Sequence, residues 1–79
     1  MTDFVVRIPR LSVAVSEATI VEFLVDDGGH VDEGSPLMVI ETEKVENEIE
    51  AGASGTVAWT GEVGETYPIG TEIGLIRQA

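Results

Sequence analysis

The sequence predicts an all-β fold, a barrel or sandwich with two similar sheets related by approximate twofold symmetry. Three observations carry that expectation. Strand-forming runs are short and frequent, nine glycines and three prolines punctuate the chain, and one β unit occurs twice. No long stretch places apolar residues at helical spacing.

The elements follow in order. Phe4-Val5-Val6-Arg7-Ile8 is rich in strand formers and stops at Pro9. Thr19-Ile20-Val21-Glu22-Phe23-Leu24-Val25 ends in the turn cluster Asp26-Asp27-Gly28-Gly29. Leu37-Met38-Val39-Ile40-Glu41-Thr42 follows Gly34-Ser35-Pro36. A polar run from Glu43 to Glu50 leads through Gly52 and Gly55 into Thr56-Val57-Ala58-Trp59. The last strand runs from Glu72 to Arg77.

Sliding the chain against itself by 36 residues lays positions 19–40 over 55–76 without a gap. Val21 then meets Val57, Phe23 meets Trp59 and Val31 meets Tyr67. Gly28 meets Gly64 and Gly34 meets Gly70, while Leu37, Val39 and Ile40 meet Ile73, Leu75 and Ile76. Glycines at equal positions imply the same backbone need. Two copies of one unit predict equivalent burial, with Phe23, Trp59, Val39 and Leu75 all substantially covered. After the first copy the chain runs into Glu43-Lys44 and turns back; after the second it reaches the end. The lysine hairpin is therefore expected at one end of the domain and both termini toward the other.

The 79 residues suit one domain, spanning 1–79, with a small core and, lacking cysteine, no disulfide to staple it. Fifteen acids against four bases give a net charge of −11. Nucleic acid and anionic membrane surfaces need clustered Lys and Arg, so neither is an expected partner. The charge reads either as solubility or as a match to basic surfaces on partner enzymes. No apolar run reaches the length of a membrane span, and Met1-Thr2-Asp3-Phe4 lacks a signal peptide's features. A cytoplasmic, monomeric module is expected.

Lys44 is the only lysine, and it stands among Glu41, Glu43, Glu46, Glu48 and Glu50. One reading makes it a solvated turn residue that relieves acidic repulsion. The other makes it an amine on a rigid tip, open to a modifying enzyme, whose tethered group reaches a high effective concentration. His30 has no Ser, Cys or ligand companion and reads as a surface residue. Trp59 and Tyr67 fall on apolar repeat positions and read as packing. The acid run lacks the Asp-rich, Gly-centred loop of a calcium site, and strand alternation is expected to split its acids between two faces. No metal site and no catalytic nucleophile–base pair are expected.

Ile40-Glu41-Thr42-Glu43-Lys44-Val45 resembles the modification motif of lipoyl domains, members of the biotin/lipoyl carrier family. Ile8-Pro9-Arg10-Leu11 and Glu17-Ala18-Thr19-Ile20-Val21-Glu22-Phe23-Leu24-Val25 are similar to the opening of lipoyl domains in 2-oxo acid dehydrogenase acyltransferases. Gly28, Gly34 and Ser54-Gly55-Thr56-Val57 match the family's turns. The resemblance implies two small antiparallel sheets, covalent lipoate on Lys44, and a non-catalytic carrier of acyl groups and electrons. It implies as partners a lipoate ligase or lipoyl transferase, a thiamine-dependent 2-oxo acid dehydrogenase, an acyltransferase and a dihydrolipoamide dehydrogenase. Glu41, Glu43, Val45 and Glu46, beside the lysine, are the candidate recognition residues. Biotin carriers share the fold but flank their lysine with methionines, where this chain has Glu43 and Val45. Biotin carriage and an unmodified interaction module are the alternatives. Departures from the lipoyl pattern are Glu43 for aspartate, Asn47 at an apolar position, Gly52 where proline is common, and Gly29-His30.

Overall fold

Four glycine turns set the frame. In the computed structural model, which describes residues 3–11, 13–43 and 45–78, Gly28, Gly34, Gly64 and Gly70 have φ of 86°, 88°, 90° and 90°. An L side chain pays roughly 1–2 kcal/mol to sit there. The two pairs are related by the sequence repeat, so each half makes the same two turns.

Between the turns lie eight strands: β1 (Asp3–Arg7), β2 (Glu17–Phe23), β3 (His30–Val31), β4 (Pro36–Glu41), β5 (Glu46–Glu50), β6 (Gly55–Trp59), β7 (Thr66–Pro68) and β8 (Glu72–Arg77). They form two four-stranded antiparallel sheets, ordered β1-β8-β6-β3 and β5-β4-β2-β7. The fold is the all-β sandwich expected. A twofold exchanges β1 with β5, β8 with β4, β6 with β2 and β3 with β7. The connections obey it: Gly28 N donates to Val57 O and Gly64 N to Ile20 O, each at 2.7 Å. Likewise Gly34 N donates to Ala51 O and Gly70 N to Ile8 O, each at 2.8 Å. Among the described residues no helix is long and apolar enough to cross a membrane.

The structure corrects the repeat in one place. In β2, Ile20 pairs with Ile40 and Glu22 with Val39, so Val21 is an extra, bulged residue. In β6, Val57, Ala58 and Trp59 pair with Ile76, Leu75 and Gly74 without interruption. The structural equivalent of Val57 is therefore Ile20, both 0% exposed, and not Val21, which is 36% exposed. A gapless alignment cannot show a one-residue bulge. It also leaves β3 and β7 looking like single apolar anchors, Val31 and Tyr67, when each is a short edge strand.

The core lies between the sheets. Ile8, Ile20, Leu37, Met38, Ile40, Val57, Ile73 and Ile76 are its largest fully covered side chains. Val39 and Leu75 are only half-buried, contrary to expectation. Strand alternation turns Met38 and Ile40 inward, so Val39 must face out, and Leu75 follows by symmetry. Phe23 and Trp59 are also half-buried and stack on each other, centroids 3.9 Å apart and planes 9° apart. Symmetry-equivalent residues that touch must lie at the twofold axis. Trp59 Nε1 donates to Val25 O at 2.8 Å, satisfying the indole.

The hairpin and the cleft beside it

β4 and β5 pair from Pro36 with Glu50 to Glu41 with Glu46. Beyond them Thr42 N donates to Val45 O at 2.8 Å and closes the hairpin. The Thr42 hydroxyl adds longer contacts to both backbone groups of Val45, donating to its O at 3.3 Å and accepting from its N at 3.4 Å. Two-residue hairpins usually use type I′ or II′ turns, which need φ > 0 at the first central position. Glu43 holds that position and no described non-glycine residue has a positive φ, so this turn is of neither type. The Thr42 side chain does the pinning that turn geometry does elsewhere. Lys44, the expected attachment point, lies outside the described residues.

All four candidate recognition residues are exposed: Glu41, Glu43 and Glu46, with Val45 at 52%. Glu41 stands directly opposite Glu46, an arrangement that destabilises a strand pair. Neither has an ion-pair partner among the described residues, where the one acid–base contact is the hydrogen bond between His30 Nε2 and Asp32 Oδ1, at 2.9 Å. Glu46, Glu48 and Glu50 alternate with half-buried Asn47 and Ile49. Spaced by two, these three acids share one outward face, where a split between faces was expected. The result is a carboxylate surface running back from the hairpin.

Thr19 pairs with Glu41 on one side and Thr66 on the other. The chain entering β2 therefore passes beside the hairpin. Ser16 O accepts from Ile69 N at 3.0 Å, and the Thr19 and Thr66 hydroxyls bond at 2.6 Å, which fixes this entry. A cleft of about 900 Å³ opens between the two segments. Ala14, Val15 and Ala18 line one side, Glu41, Glu43 and Val45 the other. Sequence reasoning gave residues 13–16 no role and placed Glu17 and Ala18 only at the start of a strand. The signal available was register: once β2 pairs with β4, whatever precedes Thr19 must flank whatever follows Glu41.

The described ends lie elsewhere. Ile69 is held by Ser16 at the cleft, and from Glu72 the chain leaves along β8 to Arg77, which pairs with Asp3. At about 3.3 Å per residue, that strand carries the ends roughly 17 Å from Glu72.

This geometry suits a covalent tether. Glu43 and Val45 are both exposed beside the hairpin closure at Thr42, and no buried polar side-chain atom among the described residues lacks a hydrogen-bond partner. The hairpin needs no ligand to complete it.

The Biotin_lipoyl family model, described as "Biotin-requiring enzyme", matches residues 5–76. The chain is 34% identical over 74 residues to the dihydrolipoyllysine-residue succinyltransferase component of the Bacillus subtilis 2-oxoglutarate dehydrogenase complex, covering 92% of this chain and 18% of that protein. It is 29% identical over 72 residues to the dihydrolipoyllysine-residue acetyltransferase component of the Cupriavidus necator acetoin cleaving system, covering 90% and 19%. A biotin carboxyl carrier protein of Streptococcus mutans is 52% identical over 40 residues, covering 51% and 31%. The chain thus spans under a fifth of the length of the two acyltransferase relatives.

Proposed function

The chain belongs to the biotin/lipoyl family, and from that premise we propose that residues 1–79 form a lipoyl carrier domain with the cofactor joined by an amide to Lys44. One observation carries this reading: the only lysine of the chain falls between Glu43 and Val45, on a hairpin that Thr42 pins in place. A bound lipoyl group supplies a cyclic disulfide able to take up an acyl group and two electrons. The protein supplies the rest: an exposed amine, a rigid support and a surface to be recognised.

Each neighbouring residue has a part. Thr42 holds the turn against Val45. Glu41, Glu43 and Glu46, exposed and without ion-pair partners among the described residues, carry the charge by which a basic partner surface is steered to the hairpin. Val45 offers an apolar contact beside the lysine. The fitting partners are a lipoate-attaching enzyme and the dehydrogenase, acyltransferase and flavoprotein components of a 2-oxo acid dehydrogenase complex, the setting named for several relatives. The domain itself performs no catalysis.

Biotin carriage is the second reading, favoured by the Streptococcus relative. Intact-mass measurement on protein from lipoate-supplied cells separates the two, because lipoyl and biotinyl increments differ. Lys44→Arg keeps the charge but lacks a nucleophilic amine. It should fold normally, shift stability by less than about 0.5 kcal/mol, and gain no cofactor mass. A lipoyl increment on that variant would remove Lys44 as the site.

A further inference from the structure

The two sheets have four edge strands, β1, β3, β5 and β7. An open edge invites another strand unless something blunts it. β3 has two residues, and β7 has three and ends in Pro68, which has no N–H to offer. β5 carries Glu46, Glu48 and Glu50 along its length. Antiparallel pairing of β5 with its own copy about Glu48 would oppose glutamate to glutamate at all three positions, and like charges directly opposite destabilise a strand pair. β1, the twofold equivalent of β5, is blunted by none of these. It is five residues long, with Phe4, Val5 and Val6 between Asp3 and Arg7. Among the described residues β8 is the only strand paired with it.

We propose that β1 is a self-association edge: two copies of this chain pair antiparallel through Asp3–Arg7, with Val5 opposite its own copy, joining two four-stranded sheets into one. The inference is independent of what Lys44 carries.

Charge sets the register. In it Asp3 meets the second copy's Arg7, and Arg7 meets the second copy's Asp3. Within the chain β8 already places Arg77 opposite Asp3 and Glu72 opposite Arg7. Glu72, Arg7 and the second copy's Asp3 and Arg77 then make a row of alternating sign across the junction, all at exposed positions. Arg7 Nη1 donates to Gly70 O at 3.0 Å, which steadies the guanidinium without neutralising it. Moving the register by two residues either way breaks both charge pairs.

Apolar cover is the second support. Phe4 remains 38% exposed although its ring rests on Gly52, and the pairing sets it beside the second copy's Val6. On the outer face Val5, Leu75 and Ala58 form one half-buried row across β1, β8 and β6, which the second copy continues. The glutamates of β2, β4 and β5 lie in the other sheet. The β4–β5 hairpin belongs to that sheet too, so association through β1 does not use it.

The contact is small. A strand of this length spans about 17 Å, and two such edges bury less than the roughly 1,200 Å² of a stable complex. The dimer is therefore weak, with a Kd on the order of 1 mM. At lower concentration the chain is the monomer expected from its sequence.

Sedimentation equilibrium of the 79-residue chain, in about 0.15 M salt to screen its net charge, should show a monomer–dimer equilibrium over about 0.1–3 mM. Asp3→Arg and Arg7→Asp, each alone, set like charges opposite one another twice and should weaken association about tenfold. Mixed in equal amounts, the two variants oppose unlike charges at both positions and should associate as the parent does. Unchanged Trp59 fluorescence separates lost association from lost folding. Should either variant fail to fold, nuclear magnetic resonance of the parent alone decides: the amide signals of Asp3–Arg7 should move with concentration while those of Glu46–Glu50 stay. A chain that is monomeric throughout that range overturns the proposal. So does a dimer that both variants leave intact, or concentration-dependent shifts confined to another strand.

Discussion

Gly52→Ala tests how the terminal strand is tied to the rest of the domain. Gly52 follows β5, and a Cβ there would lie 2.5 Å from Phe4 Cζ and 3.0 and 3.1 Å from its Cε atoms. Carbon atoms in contact sit roughly 3.5–4.0 Å apart, so the ring must retreat by about 1 Å. Phe4 is 38% exposed and can swing outward. The cost is bounded by the apolar area it then uncovers. A Phe buries about 150–250 Å² when fully covered. With roughly six-tenths of that at stake and about 25 cal/mol per Å², complete loss costs about 2–4 kcal/mol. Gly52→Ala should therefore destabilise by about 1–3 kcal/mol, depending on how far the ring moves. In a Phe4→Ala background the obstacle is gone. Gly52 has no positive φ, so alanine fits, and the same change should stabilise by about 0.4–1 kcal/mol through the unfolded chain. Urea unfolding of the four proteins, followed by Trp59 fluorescence, gives the coupling directly. An effect of equal size and sign in both backgrounds would refute the reasoning.

Three further outcomes follow from the same geometry. Gly28→Ala and Gly64→Ala should cost the same, roughly 1–2 kcal/mol: their φ values are 86° and 90°, and neither added Cβ meets anything within 4 Å. Clearly unequal losses in chemical denaturation would break the twofold equivalence. Ile40→Asp should abolish folding, since it buries an unpaired charge, while the half-buried, outward Val39 should accept aspartate with a folded, weakened domain; circular dichroism that ranks them the other way would reverse the assigned faces. Glu46→Lys should stabilise the hairpin slightly by removing the opposed charges of Glu41 and Glu46. It should also slow acylation by a cognate dehydrogenase and flatten its salt dependence; an unchanged rate across the salt range would remove Glu46 from recognition.

The lysine could be singled out from sequence because it is unique and because the repeat has a hairpin after its first copy and a chain end after its second. The candidate recognition carboxylates were named for the same reason, as sequence neighbours of that hairpin. The cleft was not. Its far wall comes from residues 14–18, over twenty positions earlier in the chain, and small side chains such as Ala14 and Ala18 carry no pattern of their own. Gly52 was visible only as a departure where proline is common; Phe4, whose ring occupies the space of the missing Cβ, explains it.

The sequence by itself determined the local requirements. A left-handed turn demands glycine, and all four repeat-paired glycines adopt one; a half-covered strand demands short β-branched runs, and these became β1, β2, β4, β6 and β8. Such requirements act within a few residues of backbone and leave a residue signature. The tertiary structure alone decided the rest: the bulge at Val21, the outward face of Val39, the Phe23–Trp59 stack on the twofold axis, and the meeting of the β2 entry with the hairpin. Each depends on which of several adjacent apolar residues another strand covers. That choice is made by the packing of two sheets, because consecutive apolar residues satisfy either phase until a partner strand is laid against them.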